Sequence, residues 1–293
     1  MNRQQHRFII GGHVVEICFS TNDSNDMTLL PSFTPFVTDS NETPLLTLTV
    51  DDRVRPAEGR RKVRTFDTGN GDTVVYLLPD GGYQFIIRDT RDRDCCLLLS
   101  NADFSQCRCA LNGDRLMRTF GLNDALMLAY AFAGSFHHTL LIHASCIAYG
   151  DWGYPFLAKS GTGKSTHSAL WMNHIEGAEL LNDDNPVVRI IDNTPYIYGS
   201  PWSGKTPCYR QQRRLLGAMV QIDRAPANSI ERLATVQAFA TLLPACSTMT
   251  WDRTIYSNLC DTLNSLIGST PVYTLHCLPD KEAALLCHKT IQR

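Results

Sequence analysis

The feature that most constrains this chain is an eight-residue segment, Ala-Lys-Ser-Gly-Thr-Gly-Lys-Ser, that begins at Ala158. Only its first residue, alanine for glycine, separates it from the phosphate-binding pattern G-x-x-x-x-G-K-[ST]. The apolar run Tyr154–Ala158 leads into it, and Ser165–Ile175 after it carries apolar residues at helical spacing. These patterns predict a strand, a loop and a helix in that order, and therefore an α/β unit.

The residue types of this loop suit a nucleotide. Gly161 and Gly163 allow the backbone to curve so that its N–H groups point at a phosphate. Lys164 is expected to neutralise the β- and γ-phosphates, Ser165 to bind Mg²⁺, and the dipole of the following helix favours an anion at the same place. The motif thus predicts binding of ATP with Mg²⁺, by Ser160, Gly161, Thr162, Gly163, Lys164, Ser165 and Thr166.

Two adjacent carboxylates, Asp183 and Asp184, end the next predicted strand, Glu179–Asp183. In α/β sheets the carboxyl ends of the strands carry the functional groups. Neighbouring side chains point in different directions, so one carboxylate could bind the metal while the other accepts a proton from an acceptor hydroxyl. We expect Asp183 to bind Mg²⁺ with Ser165 and Asp184 to be the base, although the sequence leaves the two roles interchangeable. Taken alone, the pair also fits a solvated turn.

The order of these features resembles the HPr kinase/phosphorylase family, whose fold is shared with phosphoenolpyruvate carboxykinases. The resemblance rests on a strand with His143, a hairpin, the loop Ser-Gly-Thr-Gly-Lys-Ser, a helix, and a strand ending in Asp183 and Asp184. It is specific from His143 to Asp184 and only architectural beyond. It implies an HPr kinase-like enzyme that transfers the γ-phosphoryl group of ATP to a hydroxyl on a protein, peptide or small molecule, with His143 near the aspartates. Without the resemblance, His143 is an ordinary core histidine.

The acceptor side departs from the family. Its Leu-Glu-x-Arg-Gly strand has no counterpart, and the comparable stretch, Gly199–Thr206, is rich in small residues and contains Lys205. Lys205 could hold a phosphate or carboxylate, and Arg210, with Arg213 and Arg214, could supply a cation to the transferring group. An irregular turn and a solvated face are the alternatives. A carboxykinase-like metabolic enzyme and a non-catalytic nucleotide-sensing adaptor stay open beside the kinase hypothesis.

Residues 1–120 are predicted to form a β-rich, antiparallel N-terminal region, because short apolar runs alternate with turn residues. These runs are Phe8–Phe19, Leu45–Val50, Thr73–Leu78, Tyr83–Arg88, Cys95–Leu99 and Cys107–Leu111. The basic run Arg53–Arg64 is expected to be a hairpin loop. We place the domain boundary just before an apolar helix, Asn123–Ala133, that is capped by Gly134, so that residues 121–293 form the P-loop kinase domain.

The second region is predicted to be mixed α/β. Hairpins are expected at Leu140–Tyr149 with Tyr154–Ala158 and at Val187–Ile191 with Tyr196–Tyr198, and a strand at Ala218–Ile222. Asn228 and Glu231 form a capping-box pattern, which predicts a helix from Asn228 to about Leu243. The remaining predicted elements are the helix Asp252–Ile267, the strand Val272–Leu278 and the helix Asp280–Ile291.

Composition excludes several function classes. The formal net charge of −2 gives no electrostatic basis for binding nucleic acid. The apolar segment Leu122–Gly134 is shorter than the roughly 20 residues of a membrane span, and Met1–Gly12 does not resemble a signal peptide. The eleven cysteines are odd in number, irregularly spaced and poorly spaced for zinc, as expected of reduced thiols. We therefore expect a cytoplasmic enzyme, and leave open whether it forms a homo-oligomer.

Overall fold

A computed structural model describes residues 4–20, 25–67, 71–159, 161–204 and 206–293. The protein has the expected mixed α/β fold, and it divides into two compact units, Met1–Ala133 and Gly134–Arg293. No helix within these described ranges is long and apolar enough to cross a membrane. All eleven cysteines are free thiols.

The first unit is a sheet with one long helix. The sheet runs in the order β1-β2-β3-β8-β7-β6-β5-β4. Its strands are β1 (Gln4–Ile10), β2 (His13–Phe19), β3 (Leu46–Val50), β4 (Arg61–Asp67), β5 (Asp72–Leu77), β6 (Tyr83–Arg88), β7 (Asp94–Ser100) and β8 (Gln106–Leu111), and the helix is α1 (Arg115–Ser135).

Two predictions for this unit were wrong. The sheet is mixed, because β3 pairs in parallel with both β2 and β8. The chain between β2 and β3, with short 3-10 turns at Met27–Leu29 and Pro31–Phe36, is long enough for the crossover that parallel pairing requires. The end of the predicted basic loop is instead β4, an edge strand whose charged side chains suit an edge exposed to water.

The helix α1 belongs mainly to the first unit. The hydroxyl of Tyr130 donates a hydrogen bond to the carbonyl of Ile10 at 2.9 Å, and Phe132 packs edge-on against Phe104 with ring centres 5.1 Å apart. The division between the units therefore falls after Ala133, later than the boundary expected at residue 120. Gly134 lies inside the helix and does not adopt the left-handed cap that we predicted.

The second unit is a larger sheet flanked by helices. Its strands are β9 (Thr139–Leu141), β10 (Ala144–Tyr149), β11 (Trp152–Leu157), β12 (Ala178–Asp184), β13 (Val187–Ile191), β14 (Thr194–Tyr198), β15 (Arg213–Leu216), β16 (Met219–Arg224), β17 (Ser229–Arg232) and β18 (Val272–Cys277). Its helices are α2 (Lys164–His174), α3 (Thr235–Leu242), α4 (Arg253–Ser269) and α5 (Lys281–Ile291), with a 3-10 turn at Leu243–Ala245.

The sheet of the second unit is covered on both faces, because alternate residues of each strand point in opposite directions. Ala144 and Cys146 of β10 pack in one cluster with Leu263 of α4. Ile147, the residue after Cys146, packs in a second cluster with Trp171 of α2. Strands β11, β16 and β18 run parallel to one another, so their carboxyl ends lie at the same edge.

Most predicted elements of the second unit are confirmed, including both hairpins and the helices α4 and α5. The helix predicted from Asn228 is wrong: Ser229–Arg232 is the strand β17, which pairs with β18, and α3 begins only at Thr235. The Asn228 side chain accepts from the amide of Leu278 at 2.8 Å and so caps no helix. Pairing with a distant strand has overridden a local capping signal.

The loop after β14 depends on a glycine. At Gly199 a Cβ would overlap the carbonyl oxygen of Arg210 and lie 3.0 Å from that of Leu181. We expect Gly199→Ala to lower the free energy of unfolding by about 1–3 kcal/mol, as overpacking does. Gly268→Ala is the control, since a Cβ there meets open space near the end of α4 and should stabilise by up to about 1 kcal/mol. Urea denaturation measures both, and equal effects would contradict the prediction.

Candidate functional site

Strand register brings three chain segments to one edge of the second sheet. Strand β10 lies between β11 and β12 and is antiparallel to both. Its first residue, Ala144, pairs with Leu157 on one side and with Asp184 on the other. Because neighbouring strands are about 4.8 Å apart, the loop that follows Leu157, the residue His143 and the aspartate pair all meet there.

The loop of residues 158–163, called here the glycine loop, leads directly into α2. Gly161 and Gly163 have φ angles of 75° and 133°, which residues other than glycine rarely adopt. A Cβ on either would meet no atom within 4 Å, so both glycines face open space. Gly163 precedes Lys164 as the cap residue and has no side chain, so it leaves the first amides of α2 uncapped. This arrangement fits an anion at the helix N-terminus.

Buried aromatic packing fixes the position of α2. Trp171 is fully buried, with ring centres 5.6 Å from Tyr154 and 5.4 Å from Phe156. Its indole N–H donates to Nε2 of His167 at 3.1 Å. Burial lowers the pKa of His167 to about 4, so this ring is a neutral acceptor near pH 7. The aromatic packing around Trp171 therefore holds α2 in place without involving the two aspartates.

Lys164 joins the glycine loop to His143. Its Nζ donates to Nε2 of His143 at 2.9 Å and to the carbonyl of Ala158 at 3.2 Å. Burial lowers the pKa of Lys164, while the charges of Asp184 and Asp183 act in the opposite direction. Nε2 of His143 also lies 3.2 Å from Oδ1 of Asp184. That nitrogen accepts from Lys164 or, when protonated, donates to Asp184, but it cannot do both at once.

Asp183 is a buried carboxylate beside the start of α2. Its Oδ1 accepts from the hydroxyl of Ser165 at 2.9 Å, and its Oδ2 accepts from the amide of Thr206 at 3.3 Å. Oxygen pairs of this kind suit Mg²⁺, which keeps several waters and is usually bound with substrate phosphates. In the part of the chain that the structure describes, no group of three or more His, Cys, Asp or Glu residues could hold a metal. Ser165 and Asp183 therefore fit Mg²⁺ as a partial ligand set that phosphate and water would complete.

Asp184 is held in a strained backbone conformation, with a φ of 150°. Such strain costs about 1–3 kcal/mol and is concentrated at functional sites. A β-bridge to Ser203 supports it, and the amide of Gly204 donates to the carbonyl of Asp183. Its side chain is 35% exposed, and Oδ2 accepts from Nδ2 of Asn185 at 2.9 Å. Asp184 thus presents a carboxylate to solvent, whereas Asp183 does not.

Sequence reasoning missed the role of Asn182, which is fully buried before the aspartates. Its Nδ2 donates to Oγ of Ser200 at 3.2 Å and to the carbonyl of Trp202 at 3.1 Å, while its Oδ1 accepts from the amide of Asn185 at 2.9 Å. These bonds attach the loop after β14 to the end of β12. The available signal was an amide that directly follows the apolar pair Leu180 and Leu181 and precedes the two aspartates.

Arg224 was also missed. At the end of β16, it donates from Nε to the carbonyl of Thr162 at 2.9 Å and from Nη2 to that of Gly161 at 2.8 Å. It therefore holds the glycine loop from a neighbouring parallel strand. The sequence signal was its place as the second residue after the predicted strand Ala218–Ile222, since functional groups gather at carboxyl ends.

The structure does not bring Arg210 to this site. Its Nη1 bonds Oε2 of Glu179 at 2.6 Å, and Glu179 is near the far end of β12, paired with Ala148. The distance from Glu179 to Asp183 along the strand is about 13 Å. Arg213 lies over the ring of Tyr196. Ser160 and Lys205 are outside the described residues, so their predicted roles stay predictions.

The fold and the site define an α/β unit in which a glycine loop, a lysine and two aspartates meet at the carboxyl end of a sheet. No family model matches the chain, and no curated protein matches it. The matching solved structures include the Hpr(Ser) kinase/phosphatase from Coxiella burnetii. It has 12% sequence identity and a TM-score of 0.30, covering 51% of this chain and 86% of that chain. A likeness this low carries no weight for function, which has to follow from the geometry.

The buried His167 generates a prediction about pH. The folded ring loses its proton near pH 4, whereas an ordinary histidine does so near 6.5, so the unfolded chain binds more protons between these values. The free energy of unfolding should therefore fall as pH drops from 6.5 to about 4, by up to about 3 kcal/mol from this residue. His167→Gln keeps an acceptor for Trp171 and should flatten that decline. Urea titrations at several pH values measure it, and an unchanged slope would contradict it.

Proposed function

We propose that this protein is an ATP-dependent phosphotransferase that moves the γ-phosphoryl group to a hydroxyl acceptor. The observation that carries the proposal is the 2.9 Å bond between Ser165 and Asp183, directly beside Lys164. In P-loop enzymes a loop hydroxyl and a strand-end carboxylate hold Mg²⁺ together while the adjacent lysine contacts the phosphates. The same three residue types are adjacent here.

The glycine loop and α2 would bind the phosphates through backbone N–H groups and the helix dipole. An ammonium group carries three donors, so Lys164 can give one to a phosphate while it keeps its bonds to His143 and Ala158. Mg²⁺, held by Ser165 and Asp183, would supply charge neutralisation at the transferring group. The buried position of Asp183 leaves it no access to an acceptor molecule, which favours the metal role for this aspartate.

Asp184 is the proposed base. Its exposed carboxylate would accept the proton of the acceptor hydroxyl as the hydroxyl oxygen bonds to the γ-phosphorus and the bond to the β-phosphate oxygen breaks, releasing ADP. His143, whose side chain is 47% exposed, lies 3.2 Å from Asp184 and can orient it. Both side chains reach solvent, so a protein, peptide or small-molecule hydroxyl could approach. Labelling a lysate from γ-labelled ATP identifies the acceptor.

Replacing the loop lysine tests nucleotide binding. Lys164→Ala should lower the affinity for MgATP by about tenfold to a hundredfold, because a charged hydrogen bond to phosphate is lost. Lys159→Ala is the matched control, since it removes an exposed lysine from the same loop and should change little. Calorimetric titration of both variants measures the effect. Equal affinity for MgATP in wild type and Lys164→Ala would refute the phosphate-binding role.

Replacing the aspartates one at a time separates chemistry from metal binding. Asp184→Asn cannot accept a proton and should slow transfer by about 10²–10⁴, with MgATP affinity retained. Asp183→Asn should mainly raise the Mg²⁺ concentration needed for half-maximal turnover. ATP hydrolysis, with water as the acceptor, serves as the assay until the acceptor is known.

Two outcomes of the aspartate experiment would change the conclusion. Small and equal effects of both substitutions would mean that the aspartates only form a turn. Tight binding of MgATP by the wild-type protein without transfer to water or to any lysate component would indicate a nucleotide-sensing module and not an enzyme.

A further inference from the structure

A cavity of about 450 Å³ opens beside the glycine loop, at the carboxyl ends of β16 and β18. This volume is within the range of about 300–1,000 Å³ that is typical of small-molecule sites. Four segments line it: the end of the glycine loop, the first half of α2, the end of β16 with the residue after it, and the end of β18 with the two residues that follow. Neither Lys164 nor the aspartates line it, so the cavity is distinct from the catalytic groups described above.

The first turns of α2 separate this cavity from the aspartates. Ser165 bonds Asp183, and Ser168 bonds Ser145 of β10 at 2.7 Å, so this side of the helix faces β10 and β12. Thr166 and Leu170, which are neighbours on a helix surface, line the cavity instead. A ligand bound across the N-terminus of α2 would have one end near the aspartates and the other in the cavity.

From this arrangement we infer that the cavity binds the nucleoside part of the nucleotide. The inference rests on the nucleotide-binding function proposed above. With the terminal phosphate at Asp183 and Asp184, the phosphate chain crosses the glycine loop, and its other end reaches Thr166. The base and ribose then enter the cavity.

The walls of the cavity match a flat heterocycle with a polar edge. Leu170, Ile222, Leu278 and Pro279 provide apolar contact, and Arg224 provides a cation at the side of the glycine loop. Leu278 is 41% exposed, which is high for a leucine and leaves apolar surface for a ligand to cover. A mostly apolar pocket with few polar groups is the usual composition of a small-molecule site.

Hydrogen bonds within the protein hold the walls of the cavity in place. The side chain of Asn228 accepts from the amide of Leu278 at 2.8 Å and donates to Oδ1 of Asp280 at 2.9 Å. The amide of Ala225 donates to the carbonyl of Cys277 at 3.1 Å. These bonds fix the residues after β18 against the end of β16, so a nucleoside would pay little ordering entropy on binding.

Arg224 couples the cavity to the phosphate site. It lines the cavity and holds the carbonyls of Gly161 and Thr162. In a trans peptide the C=O and N–H groups point in opposite directions. Holding the carbonyl of Thr162 toward Arg224 therefore directs the amide of Gly163 away from it, as phosphate binding by the loop requires.

Affinities for MgADP and for inorganic tripolyphosphate separate the nucleoside contribution from that of the phosphates. Wild type should bind MgADP more tightly than tripolyphosphate with Mg²⁺. Leu278→Ser should weaken MgADP binding about fivefold to tenfold through lost apolar contact and leave tripolyphosphate binding unchanged. Leu285→Ser is the matched control: this leucine of α5 is also 41% exposed, does not line the cavity, and its replacement should affect neither ligand.

Filling the cavity provides a second test. Ala225→Trp places a bulky ring in the cavity and should weaken MgADP binding more than about tenfold while tripolyphosphate still binds, which also shows that the glycine loop is intact. If Leu278→Ser and Ala225→Trp both bind MgADP as tightly as the wild type, the nucleoside lies elsewhere. That result would overturn the inference about the cavity and leave the proposed function standing. If the wild-type protein binds neither ligand, the proposed function fails first. If Ala225→Trp loses both ligands through misfolding, Leu278→Ser decides.

Discussion

The candidate site depends on the pairing of β10 with two strands at once. Ala144 is paired with Leu157 and with Asp184, and this double register brings the glycine loop, His143 and the aspartates together. A slip of one residue in either pairing would turn the side chains of the moved strand to the opposite face of the sheet. The clusters on the two faces prevent such a slip, because Cys146 and Ile147 of β10 each fit only their own side.

Near these paired strands the protein contains buried polar side chains and a strained backbone, both of which cost free energy unless other contacts stabilise them. Asn182 and Asp183 are buried, but each is bonded, to the loop after β14 and to Ser165 respectively. A buried polar group left unpaired costs about 1–3 kcal/mol, and these hydrogen bonds avoid that cost. The strained backbone of Asp184 persists for the same reason, since Ser203 and Gly204 hold it from the neighbouring loop. The loop after β14 is therefore part of the site, independently of the role of Lys205.

The helix α2 separates two parts of the site, one on each side of its first turns. One side of its first turns faces the aspartates through Ser165, and the other side borders the cavity through Thr166. Trp171 anchors the helix further along, at a distance from both. Arg224 connects the two sides by holding the glycine loop from β16. A nucleotide oriented across this helix accounts for the loop, the aspartates and the cavity together.

The sequence by itself determined the features that depend on neighbouring residues: the glycine loop between β11 and α2, the hairpins, and the aspartates at the end of β12. Glycine conformation, hydrophobic period and capping act over a few residues and are readable in the chain. Tertiary structure alone decided which arginine lies at the loop, Arg224 and not Arg210, and turned the segment after Asn228 into a strand. The physical reason is that these outcomes depend on pairing with strands distant in sequence, and the free energy of that pairing outweighs local propensity.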